Sequence, residues 1–496
     1  MCAVWDCAAR KGIAMHRQDN ENDPVRDRDK ACALGREISP LDGRYRSKVE
    51  PLRAYFGEFA LMGARCDVEL RYLLALDPLE TFPRLSGAER ERVESAVGGL
   101  TQRQFQRIKH IESRVQHDVK ACELFLREML ELDEPNRIHF GLTSEDVNNL
   151  AYATMIRRYR DEVQIPTLTR LIERLAERVE RWKGVAFPAH THGQAASPTT
   201  AGKELAVFML RLMRQRKALA EIRFRGKLGG ATGTYAAFRV AVPQVDWPAF
   251  AQEFVTSLDL EFNPCTTQIE DHDGLAEYFA ITSRIGGIVL DLDRDMWEYL
   301  SRGYFVARTG KEQVGSSTMP HKVNPIRFEN SEGNIAVAHV LLSMLAEELT
   351  HSRMQRDLSD STVLRNAGVA LAHAHLAVEE AVAGLESVDL HTALIEAELE
   401  RMPQVLAEAY QTAFRVAGID DPYELLREAT QGRVVTLETL HVLLVRLQEE
   451  RKLSSEMTER LRALRPRDYV GDAERLCEEA LAEVKRSVDR TRTVES

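Results

Sequence analysis

Apolar residues recur along most of this chain at steps of three and four. From Pro166 they fall at Leu168, Leu171, Ile172, Leu175, Val179 and Trp182, which places them in one stripe on one helix face. Pro166 suits a first helical turn, where a missing N–H costs nothing, and Gly184 and Pro188 end the pattern. A second stripe runs through Ile281, Ile285, Ile288, Leu292 and Met296, and a third through Leu437, Leu440, Leu443, Leu444 and Leu447. Sustained alternation of period two is hard to find, so the spacing predicts an all-α protein without a sizeable sheet.

The pattern divides the chain into zones. Residues 1–35 include an aperiodic, mixed-charge stretch from Asp19 to Lys30 and are expected to be a disordered extension without a function, with Met15 a second candidate start. Residues 36–138 read as mixed helices and loops. Residues 139–388 hold the longest helical patterns and are expected to form a bundle of long helices. Residues 389–496 read as shorter, charged helices broken by Pro403, Pro422 and Pro466. Faces rich in Leu, Ile and Ala in the middle zone suit association with other copies of the bundle.

Composition narrows the function classes. The 496 residues are soft evidence for about three domains, and 44% hydrophobic with 29% charged residues allows a large core. A net charge of -11 disfavours nucleic-acid or membrane partners, which call for a basic surface, though a local basic pocket for a small anion remains compatible. Seven scattered cysteines without a C-x-x-C pair fit a reducing cytoplasm better than a disulfide framework or a zinc site. The N-terminus lacks a long apolar core, so no signal peptide is expected, and no apolar run is long enough for a bilayer. Gly226 to Gly233 is glycine-rich but lacks the Gly-Lys-Ser/Thr ending of a P-loop and has no preceding strand pattern.

One run stands outside the helical pattern: Gly315-Ser-Ser-Thr-Met-Pro-His-Lys-Val-Asn-Pro325. Two prolines five apart forbid a regular helix there. Small, polar residues suit a mobile lid. A serine hydroxyl is a weak base, and Lys322 would stabilise negative charge near Ser316 and Ser317. On residue chemistry alone an ordinary solvated loop explains the run equally well.

The run resembles the signature of the fumarase/aspartase superfamily, whose members eliminate fumarate or a close analogue from a succinyl group on nitrogen or oxygen. Glu329 falls where those enzymes carry a glutamate. The form with His321 resembles the adenylosuccinate lyase family, in its longer bacterial form; relatives acting on argininosuccinate tend to have Gln there. Further segments agree in order: Ser39 to Tyr45, Gln116-His117-Asp118, Thr143 to Asp146, Thr191-His192-Gly193-Gln194, Thr267 to Glu270, and Ser352 to Asn366. The likeness runs from about residue 36 into the C-terminal region. It implies a three-domain, all-helical fold whose central bundle forms the core of a homotetramer in the cytoplasm, with each active site shared between three subunits. It implies purine nucleotide substrates and no metal or organic cofactor.

The resemblance also implies roles. Ser316 is the candidate base and Ser317 a substrate contact, although the reverse order is open. His192 is the candidate acid, since imidazole titrates near working pH; its neighbour His190 reads as structural. A His-x-His pair also suits a metal, but no third ligand at suggestive spacing stands out. Glu329 would orient His192 as a carboxylate orients imidazole in a triad. His117 would be a second active-site histidine, although it also continues the helical run Ile108, Ile111, Val115.

For binding, Gln116 and Asp118 flank that histidine. Thr143, Ser144, Lys322 and Asn324 would hold the succinyl carboxylates, supported by Gln268 and Asn330, with Val323 a further substrate contact. Arg44, Tyr45, Arg356, Ser361 and Arg365 would bind the nucleotide phosphate, for which arginine's planar fork is suited, and Thr362, Val363 and Leu364 would be further substrate contacts. Three positions depart from the family pattern: Gln116 for Asn, Ala195 for Pro, and Arg327 for an acidic residue. The rival readings are a lyase for argininosuccinate, which has no phosphate, and a catalytically silent structural protein on the same fold.

Overall fold

The computed structural model describes residues 37–308, 323–430 and 435–494, with side chains through 486. The chain separates into two compact units, residues 1–49 and 50–496. The described part of the first is a run of turns closed by backbone bonds such as Tyr45 N to Pro40 O at 2.9 Å and Val49 N to Tyr45 O at 3.1 Å.

In the second unit the principal early helices are α1 (Glu58–Leu76), α2 (Gly87–Ala96), α3 (Gln102–Val115) and α4 (Asp118–Leu130). Their cluster buries Met62, Cys66, Leu70, Leu73, Ile108, Ile111, Phe125 and Leu126. Side chains of this size each stabilise by about 1.5–3 kcal/mol when fully withdrawn from water. Ser86 and Thr101 start α2 and α3 with capping boxes, satisfying donors that a helix N-terminus leaves open.

Next come α5 (Ser144–Tyr159), α6 (Ile165–Trp182), a hairpin of β1 (Ala186–Thr191) and β2 (Gln194–Thr200), then α7 (Ala201–Glu221), α8 (Asp273–Ser301), α9 (Ile326–Glu348), the short α10 (Ser359–Leu364) and α11 (Ala367–Glu386). Five long helices form the central bundle: α6 packs on α7 and α11, α8 packs on α7, α9 and α11, and α9 packs on α11. The stripe from Leu168 to Trp182 is buried along α6, and that from Ile281 to Met296 along α8. A separate C-terminal cluster buries Leu406, Tyr410 and Phe414 with Leu440, Leu443, Leu444 and Leu447 of the third stripe. Strands among the described residues form only two-stranded pairs, so the all-α expectation holds. No helix there is long and apolar enough to cross a membrane.

Pro166 lies in the first turn of α6, as the spacing predicts, although α6 follows directly on the turn before it. Arg160–Gln164 forms a π-turn that joins α5 to α6, with Ile165 N bonded to Arg160 O. The wider turn absorbs the missing N–H and the ring of Pro166 without breaking the rod. α6 ends at Trp182, ahead of Gly184 and Pro188 as expected, and Pro188 sits inside β1 where the register slips between Phe187 and Ala189; an irregularity of that kind is where a strand tolerates proline.

The start of α7 meets the end of α6 so closely that a Cβ on Gly202 would lie 2.6 Å from Lys183 Cα and 2.8 Å from Val179 O. Both obstacles are backbone and do not move alone. Gly202→Ala is expected to destabilise by about 1–3 kcal/mol despite alanine's better helix propensity. A thermal midpoint equal to the parent's would show that the two helix ends separate freely.

Candidate functional site

Within one chain the structure brings several of the sequence-predicted residues together around the N-termini of α4 and α5. His117 is the N-cap of α4, and its Nδ1 accepts from Lys120 N at 3.3 Å. That bond leaves Nε2 as the protonated nitrogen of the neutral ring, facing Ser144 Oγ at 3.5 Å. His117 is half-exposed and therefore open to a ligand. Gln116 ends α3 in the left-handed region at φ 56°, which turns the chain sharply and sets His117 at the next helix start.

Asp118 accepts from Arg65 and Arg365, each at 2.8 Å. Burial alone would raise its pKa, but the Arg65 charge and the surrounding donors hold it at about 2. Arg65 is 1% exposed and also donates to Asn148 Oδ1 at 2.9 Å. Thr143 caps α5 in a box with Asp146. Glu145, in the same first turn, pairs with Arg356 at 2.9 Å, and Arg356 donates to Gln268 Oε1 at 3.2 Å. Two arginines assigned to a phosphate therefore already meet carboxylates, so an incoming anion would share them. Gln268 also donates to Ala231 O at 2.9 Å. Asp146 accepts from Gly229 and Gly230 and pairs with the buried Lys227 at 2.7 Å, which locks the glycine-rich segment onto α5.

Behind Arg356 lies His272, fully buried at φ 62°. It faces Glu270 Oε2 at 3.7 Å and Asp360 Oδ2 at 3.9 Å. Burial opposes its charge, yet Asp360, Glu270 and Glu145 raise its pKa above the ordinary value. Asp360 in turn accepts from Ser361 N at 2.7 Å. Thr362 O accepts from Asn366 Nδ2 at 3.1 Å, Val363 is half-buried and Leu364 is buried.

Other assigned residues lie apart from this group. His192 and Gly193 form the two-residue turn between β1 and β2, at φ 52° and 73°, the signature of a tight hairpin turn of the primed type. The turn leaves His192 exposed at the hairpin tip. His190, two residues back, accepts from Arg302 at 3.1 Å and stacks on Tyr304. Burial and the Arg302 charge lower its pKa, so it stays neutral. Glu329 lies in the first turn of α9 and accepts from Trp297 Nε1 at 3.1 Å. Asn330 accepts from Asn334 at 3.0 Å, Val323 is exposed, and Asn324 is half-buried. Arg327 pairs with Glu380 at 2.8 Å. Among the described residues no hydrogen bond or ion pair joins His192 or Glu329 to the His117 group. Arg44 and Tyr45 belong to the N-terminal unit, and Ser316, Ser317 and Lys322 lie outside the described residues. Among the described residues no group of three His, Cys, Asp or Glu is placed to hold a metal.

A family model described as lyase matches residues 44–341, and one described as adenylosuccinate lyase C-terminal matches residues 352–470. Adenylosuccinate lyase of Haemophilus influenzae is 43% identical over 451 residues, covering 89% of this chain and 98% of the relative. This chain belongs to the adenylosuccinate lyase family. The Escherichia coli member is 41% identical over 446 residues, covering 88% of this chain and 96% of its own. Two solved structures share the fold of this family member. The 3-carboxy-cis,cis-muconate lactonizing enzyme of Pseudomonas putida has a TM-score of 0.71 at 21% identity, covering 88% of this chain and 98% of its own. A fumarate lyase of Mesorhizobium has 0.72 at 18%, covering 87% and 97%.

Several members of the His117 group escaped the sequence reading of this family chain. Arg65 sits among Leu61, Met62 and Cys66 on a buried face, and a lone charge in an apolar stripe was the available signal. Glu145 lay inside a recognised segment but was given no role. Asp360 likewise lay inside the recognised Ser352 to Asn366 segment without a role. His272, and Trp297 apart from this group, carried no signal beyond their residue type.

Asp118→Asn would leave Arg65 buried without its countercharge, at a cost of about 3 kcal/mol or more. In the parent the pair's contribution is full above the free carboxylate value of 3.8 and is lost as pH falls through about 2. Urea unfolding at neutral pH should therefore show a clear loss in the variant. A variant as stable as its parent would show that Asn148 and solvent suffice for Arg65.

Proposed function

We propose that this chain releases fumarate from adenylosuccinate, giving AMP, and from succinylaminoimidazole carboxamide ribotide, giving the free carboxamide ribotide, in purine nucleotide biosynthesis in the cytoplasm. The observation that carries this is the identity above 40% over nearly the whole length of relatives named adenylosuccinate lyase. The match to the C-terminal model favours it over the argininosuccinate reading.

In the proposed reaction a base removes the proton on the carbon β to the leaving nitrogen. The electron pair delocalises into the neighbouring carboxylate, and the C–N bond then breaks as an acid protonates nitrogen. Ser316 is the proposed base, supported by Lys322, and His192 the proposed acid, oriented by Glu329. His117 presents Nε2–H beside Ser144, a donor pair suited to the succinyl carboxylates. Arg365 and Arg356, with Arg44 and Tyr45, are the proposed phosphate contacts. Such a site is completed by association: the separation of His192 and Glu329 from the His117 group within one chain supports a homotetramer with sites shared between subunits. The division at residues 138/139 and 388/389 belongs to the same proposal, supported by the separate clusters at the two ends of the second unit.

Purified protein given adenylosuccinate should produce fumarate, followed by its ultraviolet absorbance; fumarate from argininosuccinate alone would overturn the assignment. Ser316→Ala should lower turnover by about 100-fold or more while still binding adenylosuccinate by calorimetry. Near-normal turnover would move the base to Ser317 or elsewhere.

A further inference from the structure

Along the seam between α8 and α9 the two helices run antiparallel, and polar pairs mark the register. His339 Nε2 donates to Ser283 O at 2.9 Å, Arg294 pairs with Glu332 at 2.9 Å, and Trp297 Nε1 donates to Glu329 Oε1 at 3.1 Å. The Trp297 pair is the one nearest the end of the seam, in the first turn of α9. Trp297 is 43% exposed, so its ring is not there to fill the core.

The two neighbouring pairs differ in kind. Arg294 neutralises Glu332, whereas an indole N–H fixes Glu329 without bringing a positive charge. One carboxylate oxygen accepts from the indole, Glu329 itself is exposed, and its charge stays spread over both oxygens. A neutral donor orients a carboxylate and leaves its charge available to a cation, whereas an arginine neutralises it. We infer that Trp297 is a positioning residue, which aims the carboxylate of Glu329 at the imidazole that donates the proton to the leaving nitrogen. The inference rests on the proposed role of Glu329 toward His192.

Trp297→Phe removes the donor and keeps most of the ring. A hydrogen bond to a charged group is worth enough to change a rate about tenfold, so kcat should fall by about that factor with KM within about twofold. An acid must be protonated to act, and a loosely held carboxylate supports its charge less well. The alkaline limb of the kcat profile should therefore move to lower pH. Arg294→Gln, one turn away on the same seam, loosens the packing without touching Glu329 and should leave that limb in place. Unchanged kcat and limb in Trp297→Phe, or the same shift in Arg294→Gln, would overturn the inference. Glu329→Gln in the same assay separates the two levels. Full activity there refutes the role of Glu329 itself; a large loss there beside a normal Trp297→Phe refutes only the role of Trp297. Circular dichroism and size-exclusion profiles matching the parent confine these readings to folded protein.

Discussion

The seam of α8 against α9 combines the apolar stripe of Ile281, Ile285, Ile288 and Leu292 with ordered polar pairs ending at Trp297 and Glu329. Apolar burial there supplies most of the stabilisation, and the pairs fix the register, which nonspecific burial leaves loose. Glu329 lies in the first turn of α9, so the register of α8 on α9 sets where that carboxylate lies. A rigid bundle carrying chemistry on its connections is the usual division of labour between scaffold and site.

A second constraint acts at the other end of the assigned chemistry. Arg65 is buried inside the first cluster, and Asp118 is the charge that makes its burial tolerable. Because Asp118 opens α4, meeting Arg65 also fixes the helix start at which His117 serves as N-cap. The same economy appears at α5, where Asp146 holds the glycine-rich segment while Glu145 holds Arg356. Fold stability and the placement of candidate binding groups rest on the same few carboxylates.

The fold was legible where periodicity was strong. The stripes along α6 and α8, and the third from Leu440 to Leu447 in the helix Leu437–Glu449, are buried as their spacing predicts, because a stripe of that width has to be covered. The π-turn before Pro166 was not legible, since a proline reads equally well as a helix start and as a strain absorbed by a wider turn. Of the site, motif likeness located His117, Ser144, Gln268 and Arg356, which the structure brings into one contact chain. It did not locate Arg65, His272 or Trp297, whose importance comes from what they face across the fold rather than from neighbours in sequence.

The central claim is that the proposed acid and the proposed base act together at sites built from more than one copy of the chain. It is tested by mixing two inactive variants, His192→Ala and Ser316→Ala, through denaturation and joint refolding, and measuring fumarate release from adenylosuccinate. If the two residues come from different copies, some sites in the hybrids receive both intact residues, and activity returns well above that of either variant refolded alone. If each chain supplies both residues to its own site, no hybrid site is intact, and a mixture as inactive as its components would contradict the account.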